Sequence, residues 1–209
     1  MLCAAWRTVP TWQPCVLAGR AARGPARDDA NARERFLGIM AEQADRMRRL
    51  VDDLLMLSRI EQHEHSRPAA AVDVERVLRG VNDLLHLKAS SRGVALEIDV
   101  EKGLPPAVGD YDELTIVFQN LIDNAIKYGK QGGTVTLRGR DAGGGMVEIS
   151  VRDDGPGIPP DALSRVFERF YRAEKSRTRS KTTGFGLGLS ITQWIVERHG
   201  GRIEVDSKE

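Results

Sequence analysis

Apolar residues recur along this chain at two periods, and the change from one to the other marks out its elements. Between about residues 31 and 61, Phe36, Met40, Met47, Leu50, Leu54 and Leu57 stand three and four positions apart, with Gln43 filling the same seam. That spacing predicts one long amphipathic helix whose stripe is buried against partner helices, as in a coiled coil or bundle. Asp28 or Asp29 is placed to cap it after the turn at Gly24. Residues 61–71, polar and then Pro68 with alanines, predict a linker. Asp73 is a cap for a second helix carrying Val74, Val77, Leu78, Val81, Leu84 and Leu85 on one face. The period then shortens to two: Val94, Leu96, Ile98 and Val100 alternate with other residues, which predicts a half-buried strand.

Residues 102–110, with Pro105 and Pro106, predict a loop. Asp110 or Asp112 opens a third helix through Leu114, Val117, Phe118, Leu121 and Ile122 to Tyr128, broken by Gly129–Gly133. Strands are expected at 134–138 and 146–151, a loop at 153–160 and a short helix at 161–167. A basic, unpatterned stretch at 172–183 precedes a helix at 186–199 and the start of a strand at 202–205. Early helices, with strands joined by short loops, predict an α+β fold: a two-layer α/β sandwich preceded by one long helix.

Composition narrows the function classes. At 41% hydrophobic and 29% charged, the 209 residues suffice for one full domain plus a smaller element. A net charge of +1 gives no general attraction to nucleic acid or anionic membrane, and 5% aromatics argue against base-stacking platforms. No nucleic-acid partner is expected. No run approaches the ~18 apolar residues that a membrane helix needs. Residues 1–24 differ from the remainder. They hold both cysteines (Cys3 and Cys15), Trp6 and Trp12, and no charged residue but arginine. This segment is expected to be disordered. The four arginines of residues 1–27 hint at a transit peptide, but Pro10, Pro14 and Pro25 spoil the helix one requires.

Four motifs carry candidate chemistry. Asn120 and Asn124 stand one helical turn apart and face the same way. Their amide oxygens suit a hard cation such as Mg²⁺, which takes its remaining ligands from water and substrate phosphates; the bland alternative is a polar helix face. Lys127 is placed to reach a phosphate. Asp153, Gly155 and Gly157 follow a strand directly: either an ordinary tight turn, or a backbone that approaches a ligand closely beside a carboxylate able to accept from an exocyclic amine. Asp154 reads as a solvated neighbour. Gly184, Gly186 and Gly188 open a helix near Leu187, either as a hinge or as a phosphate-binding helix N-terminus. The motif is neither a P-loop nor a dinucleotide fingerprint. Between the glycine motifs, Arg172, Lys175, Arg177, Arg179 and Lys181 are either a solvated charge run or a loop that closes over a polyphosphate.

Taken together, NLIDNAIKY, DDGPGIP, FERFYR and GFGLGLSI resemble, in that order, the nucleotide-binding boxes of sensor histidine kinases of two-component systems, with a phosphate-regulon flavour. Their catalytic domain belongs to the superfamily that includes DNA gyrase, the ninety-kilodalton heat-shock chaperone and MutL. The likeness covers about residues 72–206. The helix at 31–61, with LVDDLLMLSRIE, resembles the second helix of the dimerisation and phosphotransfer hairpin. The resemblance implies binding of ATP with Mg²⁺ on Asn124, with Asn120 supporting the phosphate side. It implies phosphate contacts from Lys127 and Arg172, adenine packing on Tyr128, and adenine recognition by Asp153. Gly155, Gly157, Ile158, Gly184, Gly186, Leu187 and Gly188 would shape the pocket and lid, with Phe167 and Phe170 anchoring the lid. It further implies a homodimer or heterodimer through residues 31–61 and a response regulator receiver domain as partner.

The family pattern fails at both ends. The resemblance calls for an acceptor histidine, with an acid beside it, on a helix before Gly24. Residues 1–23 hold neither, and are expected to come from another reading frame or a wrong start. His63, His65, His86 and His199 are poorly placed substitutes, so no phospho-acceptor is expected. One more strand is expected beyond Glu209. The chain as given is expected in the cytoplasm, its full-length parent anchored in the inner membrane. The alternative reading is a non-catalytic, helix-pairing regulator of another kinase. A gyrase-like ATPase is disfavoured, because Asn120 stands where such enzymes carry a glutamate base.

Overall fold

The computed structural model describes residues 29–62, 68–172 and 185–208. The chain divides into two compact units, Met1–Leu55 and Met56–Glu209. In chain order the elements are α1 (Ala30–Gln62), β1 (Ala70–Val72), α2 (Val74–Ser91), β2 (Ala95–Val100), β3 (Ala107–Gly109), α3 (Tyr111–Tyr128), β4 (Thr134–Gly143), β5 (Met146–Asp153), α4 (Pro160–Leu163) and α5 (Gly188–Arg198).

The long helix forms as its period predicts, with the Asp29 carboxylate accepting the Ala32 N–H at 3.0 Å. Asp28 lies outside the described residues. Phe36, Met40, Gln43 and Leu50 are half-buried, whereas Met47 and Leu54 are exposed. Leu37, Val51 and Leu55, which the seam reading did not include, are more than half exposed. The apolar surface of α1 is therefore wider than one seam.

In the second unit, side-chain caps fix where helices start. Asp73 accepts the Arg76 N–H at 3.1 Å, and Asp110 accepts the Glu113 N–H at 2.9 Å. β2 runs parallel to β4 and β4 antiparallel to β5, so the sheet order is β2-β4-β5. A parallel neighbour needs a crossover, which α3 provides between β2 and β4. α3 is the central helix, packed against α2, α5 and the sheet. Leu78 of α2, Ile122 and Ile126 of α3, Leu137 of β4, and Ile191 and Ile195 of α5 are essentially inaccessible. The other sheet face carries cross-strand ion pairs, Arg138 with Asp99 and Arg140 with Glu148. The expected two-layer α+β architecture is the observed one.

Several local expectations are corrected. Leu84 is 60% exposed, because it lies past the rim of the arc formed by Val77, Val81 and Leu85. β1 and β3 pair antiparallel where a linker and a loop were expected; at three residues each they are too short to show a period. The helix expected at 161–167 is only Pro160–Leu163. α5 starts two residues late, since Gly186 adopts φ +75, outside the helical region. Residues 202–205 form no strand, and Ser207 is held instead through its hydroxyl, which accepts the Ile158 N–H at 2.8 Å. A strand exists by its ladder, and alternation in Arg202–Val205 does not supply a partner.

Candidate nucleotide site

α3 presents Asn120, Asn124 and Lys127 on one stripe. Asn120 is held from α5: its amide donates to the Gly188 carbonyl at 3.3 Å and lies 3.5 Å from the hydroxyl of fully buried Thr192. Asn124 is half-buried, and among the described residues none hydrogen-bonds to its amide. Lys127 is half-buried and its ammonium is anchored. It pairs with Asp123, which also pairs with Lys88 of α2. Burial would raise the Asp123 pKa, but Lys127 and Lys88 outweigh it and hold the carboxyl below the ordinary carboxylate range.

The ends of α3 and β5 meet through glycine. A Cβ on Gly155 would lie 2.6 Å from the Asp153 carboxylate and 2.8 Å from the Tyr128 carbonyl. Asp153 accepts the Gly155 N–H at 2.8 Å, closing the loop on itself, and Gly157 turns the chain at φ +77. Tyr128 is 43% exposed beside this loop. Asp154 is no bystander: it accepts the Thr134 N–H at 3.2 Å and tethers the loop to β4.

The third wall is the start of α5. No side chain caps it, so its first N–H groups are not taken by a capping residue. Leu187 is fully buried and Gly186 accepts the Phe170 N–H at 2.9 Å. Phe170 is 60% exposed and adopts φ +64, a strained value outside glycine, whereas Phe167 is half-buried. Next to this clamp the Arg172 Nε is buried, with no hydrogen-bond partner among the described residues. Gly184, Lys175, Arg177, Arg179 and Lys181 lie outside the described residues. Among the described residues no cluster of three His, Cys, Asp or Glu side chains could hold a metal. A cation here would instead rest on amide oxygen and ligand phosphates, which suits Mg²⁺ at Asn124.

The histidine kinase-, DNA gyrase B-, and HSP90-like ATPase family matches residues 109–209. The mycobacterial sensor histidine kinase MprB has 32% sequence identity and a TM-score of 0.54, with 63% of this chain and 80% of that chain covered. The chain belongs to the sensor histidine kinase family. Sensor histidine kinase WalK of Bacillus subtilis is 36% identical over 176 residues, which are 84% of this chain and 28% of that protein. Sensor-like histidine kinase SenX3 of Mycolicibacterium smegmatis is 34% identical over 181 residues, 87% of this chain and 46% of that protein. Full-length ShkA, solved in complex with AMPPNP, shares 31% identity at a TM-score of 0.68, covering 90% of this chain and 38% of that one. The chain thus spans 28% and 46% of the length of these two curated relatives. No helix among the described residues is long and apolar enough to cross a membrane.

Sequence reasoning missed several residues of this kinase-family domain. Asp123 was legible as an i, i+4 partner of Lys127, but Lys88, 35 positions away, was not. Gly129, whose Cβ would lie 3.4 Å from Asp153 Cβ, and Thr192 on α5 likewise become visible only when the three walls are assembled.

Proposed function

We propose that residues 72–209 bind Mg-ATP and that the parent protein transfers the γ-phosphate to a histidine, and thence to a response regulator receiver domain. The observation that carries this reading is the bond from Asn120 to Gly188, which sets the asparagine face of α3 against the uncapped glycine N-terminus of α5. That N-terminus suits phosphate, and Mg²⁺ when bound neutralises charge building up on the phosphoryl oxygens. In this reading Asn124 offers its amide oxygen to the cation. Lys127 and Arg172 meet phosphate oxygens, Tyr128 packs on adenine, and Asp153 accepts from its amino group. Gly155, Gly157 and Ile158 shape the base pocket, while Gly184, Gly186, Leu187 and Gly188 shape the phosphate side. The domain supplies position and charge rather than covalent chemistry.

Residues 25–62 are read as the second helix of a dimerisation hairpin, pairing into a homodimer or heterodimer through residues 31–61. The exposed Leu37, Val51, Leu54 and Leu55 support that pairing. The acceptor histidine is then presented by another segment or subunit, on the cytoplasmic side of a membrane-anchored parent. Calorimetric titration of this chain with a non-hydrolysable Mg-ATP analogue tests the reading, alongside Asn124→Ala. Saturable binding that the variant loses is expected, and a folded wild type that does not bind would sink it.

The same exposed apolar surface favours a second reading, a helix-pairing regulator of another kinase. Val51→Asp with Leu55→Asp should abolish capture of such a kinase; undiminished capture would count against it.

A further inference from the structure

The ion-pair cluster behind the asparagine face points to a residue that no motif singles out. The two oxygens of the Asp123 carboxylate are divided between two helices: Oδ1 pairs with Lys88 of α2 and Oδ2 with Lys127 of α3. Asp123 and Lys127 are largely buried, their side chains 19% and 14% exposed, while Lys88 is 42% exposed. We propose that Asp123 is a positioning residue for the nucleotide's phosphates: anchored from α2 by Lys88, it fixes the Lys127 ammonium on the face of α3 that carries Asn120 and Asn124. This rests on the nucleotide reading above.

Three physical points carry it. An ammonium group has three N–H donors, and one carboxylate oxygen engages only part of them, so the anchored lysine keeps donors for a phosphate. One carboxylate between two ammonium groups leaves the cluster one positive charge in excess, so it attracts an anion instead of cancelling itself. Without Asp123, two lysines would share a half-buried corner with no counter-charge between them. Repulsion and the entropy of a four-carbon stem would then take Lys127 off the stripe. Lys88 matters because an i, i+4 pair on one helix leaves the carboxylate free to rotate. A second hold from another helix fixes its plane.

The test is calorimetric titration of the full chain with Mg²⁺ and the β,γ-imido analogue of ATP. It compares wild type, Asp123→Asn, Lys127→Met and the double variant. Asp123→Asn should weaken binding on the order of tenfold, the usual scale for a supporting shell. In the Lys127→Met background it should add nothing, because its effect passes through Lys127; a merely structural role would not vanish there. Undiminished affinity in Asp123→Asn, or the same loss repeated in the Lys127→Met background, would overturn the proposal while leaving the nucleotide reading intact. If Asp123→Asn does not fold, Lys88→Met decides. A several-fold loss abolished by Lys127→Met supports the proposal, and unchanged affinity overturns it. A folded wild type that fails to bind the analogue overturns the nucleotide reading itself, and this proposal with it.

Discussion

His199 Nε2 accepts the backbone N–H of Asp110 at 3.0 Å, joining the end of α5 to the start of α3 across 89 positions. With Nε2 an acceptor, the ring proton lies on Nδ1 and is donated to the Ile195 carbonyl at 2.7 Å. Asp110 is also the cap of α3, so one residue is held from both sides. His199→Ala should therefore destabilise the domain by about 1–3 kcal/mol, read as a lower urea midpoint. Gly109→Ala should cost a similar amount, since its Cβ would lie 2.8 Å from His199 Cδ2 and 3.0 Å from Leu114 Cδ1. The two losses should not add, because the imidazole that the new methyl strikes is gone from the first variant.

Two glycines of one motif should respond oppositely. Gly186 has φ +75, and its Cβ would lie 2.5 Å from the Tyr171 carbonyl. Gly186→Ala should cost at least about 1–2 kcal/mol from the backbone alone, before any repacking. Gly188 is helical, and its Cβ would meet the Asn120 amide oxygen at an ordinary 3.4 Å. Gly188 is the first residue of its helix, where alanine's interior advantage of about 1 kcal/mol over glycine is only partly felt, so Gly188→Ala should leave stability unchanged or slightly raised. Thermal melts of the two variants separate these outcomes; equal loss in both would contradict the geometry.

Asp123 should contribute to acid stability with a definite sign. Its folded pKa lies below the ordinary 3.8, so the folded state binds fewer protons than the unfolded. Stability from this group is then complete above the unfolded value and is lost as pH falls through the lower folded value. Denaturant titrations from pH 7 downward should show wild type losing this contribution below about pH 4. Asp123→Asn should start less stable and have a flatter acid limb. Parallel curves would mean that the pairing adds nothing.

Arg172 should separate stability from ligand binding. Among the described residues its buried Nε has no hydrogen-bond partner, so the described part of the domain gains little from it. Arg172→Met should keep the melting temperature within a few degrees while weakening binding of an ATP analogue on the order of tenfold, the scale of a lost charge-assisted contact. Unchanged affinity would take Arg172 out of the site.

Much of the fold was local enough to read from the chain alone. Asp73 and Asp110 cap helices because a short carboxylate reaches an N–H three residues on, whatever the rest of the molecule does. The periods of α1, α2, α3 and β2 follow from which face meets a core, and the glycine and asparagine boxes announced a kinase-type nucleotide domain. The sequence by itself therefore determined the long helices, the three strands of the main sheet and their order along the chain.

Tertiary structure decided which of those residues are held, and by what. Leu84 and Leu85 are adjacent and equally apolar, yet one is exposed and the other buried, because the edge of the core is set by α3 and the sheet. β1 and β3 exist because residues 70–72 and 107–109 find each other, not through any period of their own. Residues 202–205 alternate correctly and still make no strand, for want of a ladder. Lys88 reaches Asp123, Gly188 reaches Asn120, and His199 reaches Asp110 only after α2, α3 and α5 pack together. Caps and periods are set over a few residues of one backbone, whereas these contacts depend on where separate helices come to rest.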